Sequence, residues 1–177
     1  MIVVADVTAT PNYDIGILDP AAPDFFGRTV STTFPQNVYA PSKIARDQAI
    51  DYFNSNGMNH ILFSPVGTDA FTFNEAGVPA SGVLTGQDCC KTQPEVDLFG
   101  GYTGNYEGNI PSTDGGCVDN PFRWCDNLGN NNQAVMTFMS RAFAQMAVHM
   151  ASANLAASNT AAHQQTSSPT EVHGVLK

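Results

Sequence analysis

The sequence predicts an α/β fold, and three observations carry that prediction. Short β-rich stretches alternate with segments of helical periodicity, the pattern of helices layered on a sheet. The chain has 177 residues and is 42% hydrophobic, enough for a core and too apolar for general disorder. Turn-forming residues, among them 15 Gly and 11 Pro, separate the periodic stretches.

The elements follow in order. Residues 2–8 are β-rich and read as a strand. The opening has no basic segment and meets Asp6 early, so it reads as mid-strand rather than a signal peptide. That raises the expectation of missing sequence upstream. Residues 9–14 read as a turn, and Ile15 to Leu18 as a short strand closed by Asp19-Pro20. Residues 20–41 carry several prolines and read as an irregular surface excursion. A helix is expected from Ser42, as N-cap, to Asn56, with Ala45, Ala49, Tyr52 and Phe53 on its apolar face and Gly57 stopping it. His60 to Ser64 reads as a buried strand. Thr68-Asp69 opens a short helix through Glu75, ended by Gly77. Val78 to Leu84 is the next strand, and Gln93 to Phe99 a short helix closed by Gly100-Gly101. Residues 101–131 read as loop. A long helix begins near Asn132, where Val135, Phe138, Met139, Ala142, Phe143, Met146 and Met150 form a helical stripe. That stripe reads as core packing. The expected division is a domain over 1–156 and a disordered polar tail over 157–177.

Composition excludes several functions. Charged residues make up 13% of the chain, about half the usual ~25%. The formal net charge is −9, and the seven basic residues are scattered. Nucleic acid and anionic membranes are therefore not expected partners. An acidic surface suits a cationic group such as a free peptide amino terminus, and equally suits simple solubility. No run of 18 apolar residues is present. The four cysteines, Cys89, Cys90, Cys117 and Cys125, permit two disulfides of open connectivity and suit an oxidising compartment. Free thiols are the other reading. No C-x-x-C is present, which argues against a structural zinc site. Asp6, near the end of the first strand, is the candidate ligand, because sites in open α/β sheets lie outside the carboxyl ends of strands.

Several segments, in order, resemble the co-catalytic zinc aminopeptidases of metallopeptidase family twenty-eight. Ala5-Asp6-Val7-Thr8-Ala9-Thr10-Pro11-Asn12-Tyr13 is similar to that family's N-x-D-M-x-x-S-P-N strand and turn. Gly67-Thr68-Asp69-Ala70-Phe71-Thr72-Phe73, then Ala76-Gly77-Val78-Pro79, resembles S-D-H-x-P-F and A-G-I-P. Gly82-Val83-Leu84-Thr85-Gly86 and Lys91-Thr92 are similar to G-x-x-T-G and K-T. Gly100-Gly101 with Thr103-Gly104 resembles G-G-T-A-G, and Cys125-Asp126-Asn127-Leu128 with Asn131 resembles C-D-T-L-x-N-x-N.

The resemblance covers about residues 3–155. It implies the C-terminal half of a secreted exopeptidase with a partial three-layer α/β/α sandwich and a mixed, mostly parallel sheet. It implies metal-assisted peptide hydrolysis, with zinc as cofactor and a peptide as substrate. Asp6 would be a metal ligand and Asp69 a supporting acceptor behind the ligands. The other early ligands and the glutamate base would lie upstream of Met1. The family's late histidine position holds Phe122, whose ring offers zinc no lone pair. Cys117 and Cys125 flank that position. Asp119, Arg123, His60, His149, His163, His173, Ser64 and Ser81 show no metal or nucleophile motif.

The expectation is a truncated exopeptidase-type chain, inactive alone. The alternative is a non-catalytic relative that uses the fold to bind peptide or protein. A sheet that starts at residue 2 is also expected to expose an edge and to self-associate through it.

Overall fold

The computed structural model describes residues 1–6, 8–23, 33–86, 89–106 and 128–166. Cys89, Cys90, Asn105 and residues 153–166 are described by backbone alone. Four strands form the main sheet: β1 (Ile2–Ala5), β2 (Gly16–Leu18), β3 (Ile61–Phe63) and β4 (Ala80–Leu84). Their order is β1-β4-β2-β3. β1 pairs with β4 in parallel, β2 with β3 in parallel, and β2 with β4 antiparallel. The sheet is therefore mixed, with most pairings parallel.

Alternation along the strands decides which helix covers which face. Ile17 and Val83 point to one side, where α1 (Gln36–Ser55) and α4 (Gln133–Thr166) pack. Their neighbours Leu18 and Leu84 point to the other, against Ala70 of α2 (Asp69–Glu75). The result is three layers, helix–sheet–helix. α1 lies close on the sheet because Val38, Ser42, Ala45 and Ala49 are small and recur at helical spacing. α4 buries Val135, Met139, Ala142 and Met146. Burying each of the larger side chains contributes roughly 1.5–3 kcal/mol. Phe138 of α4 stacks on Phe53 at 5.6 Å, and His60 stacks on the same ring at 5.7 Å.

Two helix boundaries differ from the sequence expectation. α1 begins at Gln36, not after Ser42, and carries Pro41 inside it. Ser42 is fully buried in the sheet-facing stripe and caps nothing. Proline at that position removes one helical hydrogen bond. Long-range contacts offset the loss. Phe34 packs edge-on to Phe71 at 5.7 Å, Val38 is fully buried, and Asn37 Nδ2 donates to Gly77 O at 2.7 Å. α4 continues to Thr166, well into the segment expected to be tail. Alanine, the best helix former, is frequent there.

The remaining elements are short. β5 (Cys89–Lys91) pairs antiparallel with β6 (Gly104–Asn105), with an irregularity between Cys89 and Lys91. α3 (Gln93–Phe99) lies between them. Neither strand was legible in the sequence. Among the described residues no helix is long and apolar enough to cross a membrane.

Candidate functional site

The carboxyl ends of β1 and β4 point the same way, and the 6–15 segment wraps over them. Asp6 N–H donates to Val83 O at 3.1 Å, extending the ladder by one residue. This fixes the half-buried Asp6 at the strand end. Thr10 comes next. Its N–H donates to Thr85 Oγ1 at 3.1 Å, and Thr85 Oγ1 donates to Thr10 Oγ1 at 2.8 Å. Both threonines are buried, so each hydroxyl answers a polar group that water does not reach.

Asn12 ties the same turn to the chain after α3. Its N–H donates to Tyr106 O at 2.9 Å. Its Nδ2 donates to Tyr102 O at 2.8 Å, and its Oδ1 accepts Tyr102 N–H at 3.2 Å. Gly101 must lack a side chain here. A Cβ would lie 2.1 Å from Asn12 Oδ1, and φ is +80°. Gly86 is similar, with φ +99° and a Tyr106 ring carbon 2.3 Å from any Cβ.

Beneath the turn is a buried charged cluster. Lys91 Nζ donates to Tyr13 O and to Asn12 O, the latter at 3.4 Å. It lies 3.3 Å from Asp14 Oδ1, with side chains only 1% and 0% exposed. That contact is a charge pair without hydrogen-bond alignment at Oδ1. The directional bond to Asp14 comes from Tyr106, whose hydroxyl donates to Oδ2 at 2.8 Å. Burial pushes the Asp14 carboxyl up to about 6, against the Tyr106 hydrogen bond, with Glu95 adding to the rise and Lys91 opposing it. Burial pulls Lys91 below its ordinary value, opposed chiefly by Asp14. Burial, then the Asp14 charge, raises the Tyr106 phenol. The cluster is neutral as a pair and fully enclosed. Its chemistry is that of a fastener for the Asn12–Asp14 backbone, not of a reactive group facing solvent.

Asn132 N–H donates to Ala9 O at 2.8 Å, so the start of α4 joins the same end. Asn132 Oδ1 also accepts Val135 N–H and caps α4. Pro11, Gly129, Asn130, Asn131, Asn132 and Gln133 line a cleft of about 420 Å³ between turn and helix.

The structure does not bring the two sequence-predicted carboxylates together. Asp69 is exposed in the first turn of α2, beyond the carboxyl end of β3. β3 runs opposite to β1, so Asp69 lies at the far end of the sheet from Asp6. The supporting role expected of it beside Asp6 has no geometric basis. Phe122, Cys117, Cys125, Asp119, Arg123 and His173 lie outside the described residues. Cys89 and Cys90 sit on β5, and His163 on α4, with side chains outside the description. Ser64 accepts Val66 N–H, and Ser81 donates to Leu18 O at 2.7 Å, both as parts of the frame. His149 is exposed on α4.

A zinc centre needs three or four protein donors. Among the described residues no three His, Cys, Asp or Glu side chains gather in one place. Asp6 alone does not fit that requirement, and no chemical step is derived through a metal. Sequence reasoning missed the pairing of Asp14 with Lys91 and Tyr106. Lys91 stood out only as part of a motif, and nothing local marked Asp14 as buried. No protein-family model and no curated protein matches the sequence.

Proposed function

We propose that this chain belongs with the zinc-dependent exopeptidases of aminopeptidase type, and that these residues by themselves do not cleave peptides. One observation carries the reading. Four of the segments that resemble that family meet at one end of the sheet, although they are 75 to 92 residues apart where they touch. They are the Asp6–Tyr13 turn, the Thr85-Gly86 strand end, Lys91, and the Gly101–Gly104 stretch. Their contact surrounds the strand end that presents Asp6. In this reading Asp6 is a relic or partial ligand, and the buried cluster holds its turn in place. A secreted location and a peptide with a cationic amino terminus as ligand belong to the same proposal, the latter supported by the net charge of −9.

The test is zinc uptake by the 177-residue chain in equilibrium dialysis, with leucyl-amide hydrolysis on the same sample. Weak zinc uptake that Asp6→Asn abolishes, without turnover, is the expected result. Zinc uptake indifferent to Asp6→Asn counts against the family reading. Tight zinc with chelator-sensitive cleavage counts against inactivity.

Phe122 favours a second reading, a non-catalytic relative that binds peptide. A phenylalanine replaces the ligand that the resemblance expects there. Calorimetric titration with a leucyl peptide separates the two. Saturable binding without hydrolysis, unaffected by chelator and by Asp6→Asn, supports this second reading, and no heat of binding rejects it.

A further inference from the structure

β1 is the outermost strand of the main sheet, with β4 as its one neighbour among the described residues. Ile2 N–H and Asp6 N–H donate to Pro79 O and Val83 O, so these two residues face β4. The two-residue period of a strand puts Val4 with them and turns the N–H and C=O of Val3 and Ala5 outward. The side chains are apolar on both faces. Met1 and Val3 pack on the cluster under α1 and α4, and Ile2 and Val4 on the cluster under α2. All four remain partly exposed, and Ala5 is exposed.

Natural sheets blunt a free edge with lysine, proline or a bulge. β1 has none of these. No residue from Met1 to Ala5 has a charged side chain, and the register with β4 is uninterrupted. The opposite edge, β3, is three residues long and is followed by Pro65.

We propose that β1 is the interface of a homodimer, in which two copies pair their β1 strands antiparallel across a two-fold axis. The two four-stranded sheets then become one continuous sheet. A second copy is the occupant because antiparallel pairing of one strand with its own rotated image is self-complementary. The outward donors and acceptors of Val3 and Ala5 meet the same groups of the other copy. This restricts the register to those with Val3 or Val4 on the axis. A slip of one residue would set outward groups against inward ones. Each apolar row meets its own kind, so both cores continue across the axis. The pairing consumes the edge that makes it, and assembly stops at two. Asp6 is the nearest charged side chain and lies at the strand end, so the two copies place their Asp6 residues toward opposite ends of the ribbon. The charge of −9 on each chain opposes association, and added salt screens it. The inference does not depend on the zinc reading.

Sedimentation equilibrium of the 177-residue chain in low and high salt tests it, alongside Ala5→Lys and Val3→Pro. Lysine at the exposed Ala5 charges the edge without touching the ladder to β4. Proline at Val3 deletes an outward N–H, where an edge strand tolerates it. The expected result is twice the single-chain mass, favoured by salt. Both variants should fall to the single-chain mass with an unchanged thermal melt. A single-chain mass for the unaltered protein throughout, a dimer that persists in both variants, or masses beyond two would each overturn the proposal.

Discussion

Replacing Lys91 with methionine keeps the stem and removes the charge. Asp14 would then stay enclosed, at 0% side-chain exposure, with the Tyr106 hydroxyl as its remaining bonded neighbour. Breaking a buried pair by removing one partner costs about 3–5 kcal/mol. The Tyr13 and Asn12 carbonyls also lose a donor, at about 1 kcal/mol each. A fold of this size has roughly 5–15 kcal/mol in total, so Lys91→Met should remove a large part of it. Urea denaturation at neutral pH measures the loss. The companion is the double variant Lys91→Met/Asp14→Asn, which removes both charges and leaves an amide oxygen to accept the Tyr106 hydrogen bond. It should recover most of the loss, because the cost of the single change lies in the stranded carboxylate. A single-variant loss under about 1 kcal/mol would show a pair screened by solvent. A double-variant loss equal to the sum of the two single losses would show no coupling. Either result refutes the fastener.

Three further outcomes are expected. Asp14 has a folded pKa near 6 against an ordinary 3.8, so the folded state holds its proton more tightly than the unfolded one. Its contribution therefore favours the fold at low pH and is lost as pH rises through 6, by about 3 kcal/mol for two pKa units. The stability of the protein relative to Asp14→Asn should rise as pH falls from about 7 to about 4, and a constant difference sinks the assignment. Asn74 is fully buried, and its amide takes Ala80 N–H at 2.9 Å and gives to Ala80 O at 3.2 Å. Asn74→Ala strands both backbone groups at the start of β4 and should cost about 2–4 kcal/mol, read as a lower urea midpoint. Gly86→Ala should destabilise by more than ~1 kcal/mol, because its left-handed backbone and the Tyr106 ring both reject a Cβ. An unchanged melt would mean that Tyr106 moves freely.

Most of the regular elements were legible because their signals are local. The strand at Ile2, the short helix from Asp69 to Glu75 and the Val135–Met146 stripe each state their period within a few residues. The start of α1 was not legible. Pro41 and Ser42 read locally as a stop and a cap, while Phe34 and Asn37 are held by residues some forty positions on. β5 and β6 were missed because each is too short to show a period.

For the site, the sequence by itself determined that Asp6 ends a strand and that Thr10, Asn12, Thr85 and Lys91 belong to turn-like or motif segments. A strand end and a turn are properties of adjacent residues. Only the tertiary structure decided that these segments meet, that Asp69 sits at the other end of the sheet, and that Asp14 and Lys91 neutralise each other out of water. Strand direction depends on which strands pair, and the state of a buried charge depends on what encloses it. Both are settled by contacts between residues far apart in the chain, which no local pattern encodes.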